Sequence, residues 1–69
     1  MNEERRQKLL ELYEIGVQRY LYAKDGAMWF GMFRYCDGDY ETDNCKTRRE
    51  AEDKAIADYE SISGGYLIP

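Results

Sequence analysis

The chain has 69 residues, with 14 acidic and 10 basic side chains and a formal net charge of −4. A chain of this length folds as one domain that buries only ~60% of its unfolded surface, which leaves little room for a deep substrate cleft. It contains no histidine, so the commonest general base and metal ligand are missing. We predict a single domain, residues 1–69, that is not an enzyme.

No targeting or membrane segment is predicted. The first eight residues are mostly charged or polar, and no apolar signal core follows them. No run of residues approaches the ~18 apolar positions that a membrane-spanning helix needs. We therefore expect a cytoplasmic protein with reduced thiols and without contact to a membrane.

The first predicted element is a helix over residues 2–15. Its apolar positions recur three and four residues apart, as is typical of one buried face; they are Leu9, Leu12 and Tyr13. Asn2 is a suitable N-cap. Gly16 is expected to end the helix in the left-handed conformation, although a helix that continues to Tyr22 is the alternative.

Three strands are predicted next. Residues 17–23 are rich in β-branched and aromatic side chains, which favour a strand. A hairpin loop at residues 24–26 contains the dipeptide Asp-Gly and leads to the strongest strand, residues 27–36. A second turn at Asp37 and Gly38 leads to a more polar strand at residues 39–45, which we place at the sheet edge.

The last predicted element is a helix that begins with a capping box of Thr47 and Glu50. One face carries Ala51, Ala55, Tyr59 and Ile62. Opposite charges four residues apart add a few tenths of a kcal/mol each; the pairs are Arg49–Asp53, Glu50–Lys54 and Lys54–Asp58. Gly64 is expected to end the helix, and the apolar tail at 66–69 to fold back onto the core. The predicted fold is α+β, a three-stranded antiparallel sheet with an N-terminal and a C-terminal helix.

The sequence offers little for catalysis or metal binding. The serines, Ser61 and Ser63, have no imidazole to activate them. Cys36 and Cys45 are expected to be small apolar residues on adjacent strands, close enough to oxidise in vitro. A calcium loop that starts at Asp37 would lack the required glycine and glutamate at its sixth and twelfth positions. We predict no cofactor and no metal site.

Four carboxylates alternate along the predicted third strand: Asp37, Asp39, Glu41 and Asp43. On an extended strand they would share one face at spacings of ~6.6–6.8 Å, about half the charge density of a nucleic-acid strand. Two interpretations are open. The stripe docks on a basic groove that normally binds DNA or RNA, or it is a solvated edge that prevents aggregation.

The strongest predicted strand is apolar on both faces, which an ordinary half-covered sheet is not. Trp29, Phe33 and Tyr35 point one way, and Met28, Phe30 and Met32 point the other way. Either each face is covered by one helix, or one face stays open for a partner. Methionine and aromatic residues are common at such surfaces, and we favour the open face.

The order helix, three strands, helix resembles the double-stranded RNA-binding domain. That family begins its second helix with Lys-Lys-x-Ala-Lys, whose cations span RNA phosphates; the matching residues here are Arg48, Arg49, Glu50, Ala51 and Glu52. The resemblance implies an RNA-binding module. However, Glu52 replaces the last cation, residues 24–27 lack the family's Gly-Pro-x-His loop, and the net charge of −4 opposes nucleic-acid binding.

We predict a small acidic protein that binds and inhibits another protein with a basic surface. In size and charge the chain is similar to phage-encoded anti-defence inhibitors, including anti-CRISPR proteins. The predicted apolar anchor is Met28, Phe30 and Met32, and the predicted steering charges are Asp37, Asp39, Glu41 and Asp43. The alternatives are an RNA-binding module and a homodimeric regulatory protein or antitoxin, in which the open face pairs with its own copy.

Overall fold

The computed structural model describes residues 2–21, 26 and 28–64, and it confirms the predicted α+β order. Helix α1 (Glu3–Leu12) is followed by strands β1 (Gly16–Tyr20), β2 (Met28–Tyr35) and β3 (Gly38–Glu41), and then by helix α2 (Arg48–Ser63). The strands form one antiparallel sheet in the order β1-β2-β3. The apolar tail predicted at 66–69, and residues 24 and 25 of the predicted hairpin loop, lie outside the described residues.

Three helix ends have the capping residues that the sequence predicts. The Asn2 side chain accepts a hydrogen bond from the backbone N–H of Arg5 at 2.7 Å. The Thr47 hydroxyl accepts one from the backbone N–H of Glu50 at 3.1 Å. Each cap satisfies a backbone donor that the first turn of a helix leaves free. Gly64 ends α2 in the left-handed conformation, with φ 77°.

The end of α1 differs from the prediction. Glu14, and not Gly16, has the left-handed conformation, with φ 52°, and Gly16 is the first residue of β1. The Ile15 N–H donates to the Leu10 carbonyl at 3.0 Å and the Glu14 N–H to that of Glu11 at 3.2 Å. This is the Schellman pattern of helix ends. Ile15 and Leu10 both pack against the core, so tertiary contacts hold a non-glycine residue in this conformation.

Helix α2 lies very close to the middle of β2. A Cβ atom added to Gly31 would stand 2.7 Å from the Ala55 Cβ and 2.9 Å from the Ala51 carbonyl oxygen. Both alanines are fully buried. Three small residues therefore set the distance between helix and sheet, and any side chain at position 31 would force the two apart.

The core shows that both helices pack on the same face of the sheet. It contains Leu9 of α1, the C-cap residue Tyr13, Phe33 of β2, and Ala55, Ile56 and Tyr59 of α2. The rings of Tyr13 and Tyr59 stack with centroids 4.0 Å apart. We call this side of the sheet the Phe33 face. The alternative with one helix on each face is therefore wrong. Ile62, which the sequence places on the same face of α2 as Ala51, Ala55 and Tyr59, is 39% exposed.

A buried arginine connects the two helices. Arg6 is 4% exposed, and its guanidinium donates to carboxylates of α2, Asp53 at 2.8 Å and Glu52. It also donates to Glu3 at 3.4 Å. Arg49, which we expected to pair with Asp53, instead donates to Glu3 at 2.8 Å. The predicted pair Lys54–Asp58 forms at 3.5 Å.

The β2–β3 turn lies one residue earlier than predicted. Cys36 and Asp37 have φ values of 50° and 65°, as the two central residues of a type I′ hairpin require.

The two cysteines lie far apart along β2. Cys36 directly follows the end of β2, whereas Cys45 exchanges backbone hydrogen bonds with Trp29. Trp29 lies six residues before Tyr35, about 20 Å along β2. The cysteines are therefore at opposite ends of the strand, and the expectation that they could oxidise together is wrong.

Replacing Gly31 with alanine should destabilise the fold, because the new methyl group meets Ala55 and the Ala51 backbone. We expect a loss of about 1–3 kcal/mol or more in the free energy of unfolding, measured by urea denaturation. Gly16→Ala is the matched control, because a Cβ there meets nothing within 4 Å. Equal effects of the two substitutions would contradict the close contact of α2 with β2.

Replacing Glu14 with glycine should stabilise the protein by about 1 kcal/mol, because glycine adopts the left-handed conformation without a steric penalty. Thermal or urea unfolding measures the gain. The control is Glu14→Ala, which removes the same charge and keeps a Cβ, and should bring no gain. A gain with alanine as large as with glycine would mean that the charge, and not the backbone, is responsible.

Candidate functional site

The side of the sheet opposite to the helices carries the residues that we predicted for partner binding. Side chains alternate along a strand, and the Cβ direction of Gly31 is toward α2. Met28, Phe30 and Met32 therefore point away from the helices, and each remains partly accessible to solvent. We call this side the Phe30 face. Among the described residues, neither helix packs on it.

Strand β1 completes the apolar part of the Phe30 face. The register places Tyr20 beside Met28, Gln18 beside Phe30 and Gly16 beside Met32. Tyr20 is 44% exposed. Gly16 has open space where a side chain would be, so the surface next to Met32 is recessed. The result is an apolar strip of two methionines and two aromatic rings with a shallow depression at one end.

Charged residues of β2 and β3 border this strip. Glu41 lies beside Met32, and Asp39 lies beside Arg34. The Arg34 guanidinium donates to Asp39 at 3.0 Å, and both side chains are more than two-thirds exposed. This hydrogen bond raises the pKa of Arg34 above its ordinary value. One carboxylate at this border is thus paired with an arginine, whereas Glu41 adds negative charge beside the apolar strip.

The predicted stripe of four carboxylates does not form on one strand. Asp39 and Glu41 alternate on β3, but Asp37 belongs to the turn and Asp43 follows the end of the strand. After Glu41, Asp43 and Asn44 both stand opposite Phe30, as in a β-bulge. The imitation of a nucleic-acid strand by evenly spaced charges is therefore wrong in its geometry.

Thr42 holds the bulge in place, a role that was not predicted from the sequence. Its N–H donates to the Gly31 carbonyl at 2.9 Å. In return, the Gly31 N–H donates to the Thr42 hydroxyl at 2.9 Å. The hydroxyl thus provides the acceptor for a buried backbone donor that would otherwise be costly to leave unpaired. The sequence signal was a threonine between the acidic residues Glu41 and Asp43, at an inward position of the predicted strand.

The residues that match the RNA-binding motif take part in ion pairs of the fold. Arg49 donates to Glu3 at 2.8 Å, and this bond lowers the pKa of Glu3. The Arg48 guanidinium lies 4.0 Å from Glu52, which also accepts from the buried Arg6. Both cations that the resemblance assigns to phosphates therefore lie beside carboxylates of this chain.

Other chemical features of the described residues are modest. Burial raises the pKa of the Cys45 thiol, and nearby Glu50 raises it further, so little reactive thiolate is present at neutral pH. A cavity of about 140 Å³ between β3 and α2 is lined by Phe33, Tyr40, Glu41, Asp58, Ser61 and Ile62, below the ~300 Å³ of common ligand sites. Within residues 2–21, 26 and 28–64, no three potential metal ligands come together.

Comparisons with protein-family models, curated proteins and solved structures find no match to this chain. Neither described helix has the length and apolar character needed to span a membrane.

The two phenylalanines of β2 should respond differently to the same substitution. Phe33→Asp places a carboxylate in the core, where Phe33 is 4% exposed, and should abolish cooperative unfolding. Phe30→Asp changes a partly accessible position and should cost about 1 kcal/mol. Circular dichroism and urea unfolding measure both variants. Loss of the fold in both would show that the Phe30 face is part of the core.

Proposed function

We propose that this chain is a non-catalytic protein that binds another protein through its Phe30 face and inhibits it. The proposed partner presents an apolar cluster bordered by lysine or arginine side chains. The observation that supports this proposal most is the packing of both helices on the Phe33 face, because it leaves the apolar residues of β2 on the other side without a helix among the described residues.

The apolar strip would supply the binding free energy. Burial of apolar surface contributes about 25 cal/mol per Å², and interfaces are rich in methionine and aromatic side chains. Met28, Phe30 and Met32 lie on consecutive outward positions of one strand, and Tyr20 adjoins them on β1. The sheet holds these side chains in fixed positions, which reduces the entropy lost on binding.

The charge of the molecule supports a basic partner. The chain has a net charge of −4, and Glu41, Asp39 and Asp43 lie in or next to β3. Complementary charge accelerates encounter and orients the partner. Basic surfaces are typical of proteins that bind nucleic acids, and a domain bound there would block that binding. We therefore propose an intracellular inhibitor of the anti-CRISPR type.

The proposal can be tested by affinity capture from a lysate of the source organism, with the wild-type chain and two variants as bait. Phe30→Asp should lose the specific partner although it increases the negative charge. Leu12→Asp is the matched control, because Leu12 is an exposed apolar residue at the end of α1, 46% accessible. It should retain the partner. Mass spectrometry identifies the bound protein, and a salt series measures the electrostatic contribution.

A protein retained by the wild type and by Leu12→Asp, but lost by Phe30→Asp, supports the proposal. Equal retention by all three baits would overturn it. Retention of RNA, with a gel shift that weakens steeply as salt increases, would favour the RNA-binding alternative instead. Loss of a homodimer in Phe30→Asp would favour the alternative in which this face pairs with its own copy.

A further inference from the structure

Strand β1 presents backbone hydrogen-bonding groups at one edge of the sheet. Trp29 and Gly31 direct their N–H and carbonyl groups toward Cys45 and Thr42 on the β3 side. The groups of Met28, Phe30 and Met32 therefore point toward β1, since successive residues of a strand alternate. Their partners are Tyr20, Gln18 and Gly16.

The residues between these partners, Val17 and Arg19, consequently direct their N–H and carbonyl groups away from the sheet. No group in the described part of the chain is hydrogen-bonded to these two N–H and two carbonyl groups. An edge of this kind is a template for another extended strand. The geometry therefore favours an occupant with free backbone donors and acceptors of its own.

The opposite edge of the sheet is protected against such pairing, whereas β1 carries none of the usual protections within the part of the chain that the structure describes. Edges are commonly protected by bulges, by charge or by proline. Strand β3 carries Asp39 and Glu41, and the bulge at Asp43 and Asn44 follows it. A second copy of β3 would be repelled. Strand β1 has the sequence Gly-Val-Gln-Arg-Tyr, with one charge, no proline and no bulge.

We propose that β1 pairs antiparallel with β1 of a second copy of this chain, with Gln18 opposite Gln18. Val17 then lies opposite Arg19 of the second copy, and the pair exchanges two hydrogen bonds; the symmetric pair adds two more. A register centred on Arg19 would place two arginines opposite each other, which is destabilising. A register centred on Val17 would need the Ile15 N–H, which is already bonded to Leu10.

The side chains fit this register on both faces of the sheet. On the Phe30 face, Tyr20 comes opposite the bare Gly16 of the second copy, where its ring can cover the glycine. On the Phe33 face, one residue beyond the strand, Leu21 comes beside Ile15 of the second copy. Leu21 is 79% exposed, the most exposed large apolar side chain described. Self-pairing thus explains an apolar residue that the single chain leaves in water.

Substitutions at β1 test the pairing without touching the Phe30 face. Arg19→Pro removes an outward N–H, which an edge strand tolerates, and should convert the dimer to a monomer of unchanged circular dichroism. Val17→Glu and Val17→Lys remove the same side chain but place opposite or like charge against Arg19 of the second copy. Sedimentation equilibrium should show dimerisation at least roughly tenfold tighter for glutamate than for lysine.

Isotope-filtered NMR on a mixture of labelled and unlabelled protein checks the register, which requires contacts between the Hα protons of Gly16 and Tyr20 in different copies. A monomeric wild type at the highest soluble concentration would overturn the proposal, as would a dimer that folded Arg19→Pro leaves intact. If Arg19→Pro fails to fold, equal dimerisation of the two Val17 variants would overturn it. Because the Phe30 face is unchanged in these variants, partner capture by the Val17 variants tests the proposed function separately.

Discussion

The close contact between α2 and the middle of β2 is the constraint on which the rest of the structure depends. Gly31 has no side chain, and Ala51 and Ala55 are fully buried against it, so the helix axis can lie nearer to the sheet than larger residues would allow. This contact assigns α2 to the Phe33 face. Helix α1 and its C-cap residue then pack beside α2 and contribute Leu9 and Tyr13 to the same core, so the apolar residues on the other side of β2 take no part in it.

Ionic contacts make the position of α1 specific. Burying a guanidinium is costly unless its donors are paired, and Arg6 meets this requirement with Glu52 and Asp53 of α2 and with Glu3 of its own helix. Placing α1 on the Phe30 face would separate Arg6 from both α2 carboxylates. Removing the carboxylates while the guanidinium stays buried typically costs about 3–5 kcal/mol, which is a large share of the stability of so small a domain. The ionic contact thus favours the arrangement with both helices on one face.

The features that could be predicted are those that depend on residues close together in the sequence. Caps at Asn2, Thr47 and Gly64 have local causes, and so does the order of elements. Features set by packing were missed. Arg6, Leu9 and Tyr13 have the spacing of one helix face and are buried, whereas Leu12, which was expected on that face, is exposed. The prediction placed only apolar side chains on the buried face and therefore missed Arg6. The left-handed Glu14 and the bulge beside Thr42 likewise depend on contacts with distant parts of the chain, whereas the turn at Cys36 and Asp37 is local but lacks the Asn-Gly or Asp-Gly signal of such turns. Strand alternation alone predicts that Met28, Phe30 and Met32 share one face of the sheet, but it does not predict on which face the helices pack.

The two proposed surfaces are compatible because they use different groups of the same sheet. A two-fold axis perpendicular to the sheet keeps all helices on one side, so pairing through β1 would join two Phe30 faces into one six-stranded surface. The apolar residues of the two β2 strands would lie about 14 Å apart, three strand spacings. The carboxylates of β3 would then lie at both outer edges. Each apolar strip would thus keep carboxylates on its outer side, and the Gln18 pair on the two-fold axis would lie between the two strips. Two linked faces would also raise the avidity for a partner that presents two equivalent sites. The proposed dimer therefore strengthens binding through the Phe30 face, although neither proposal requires the other.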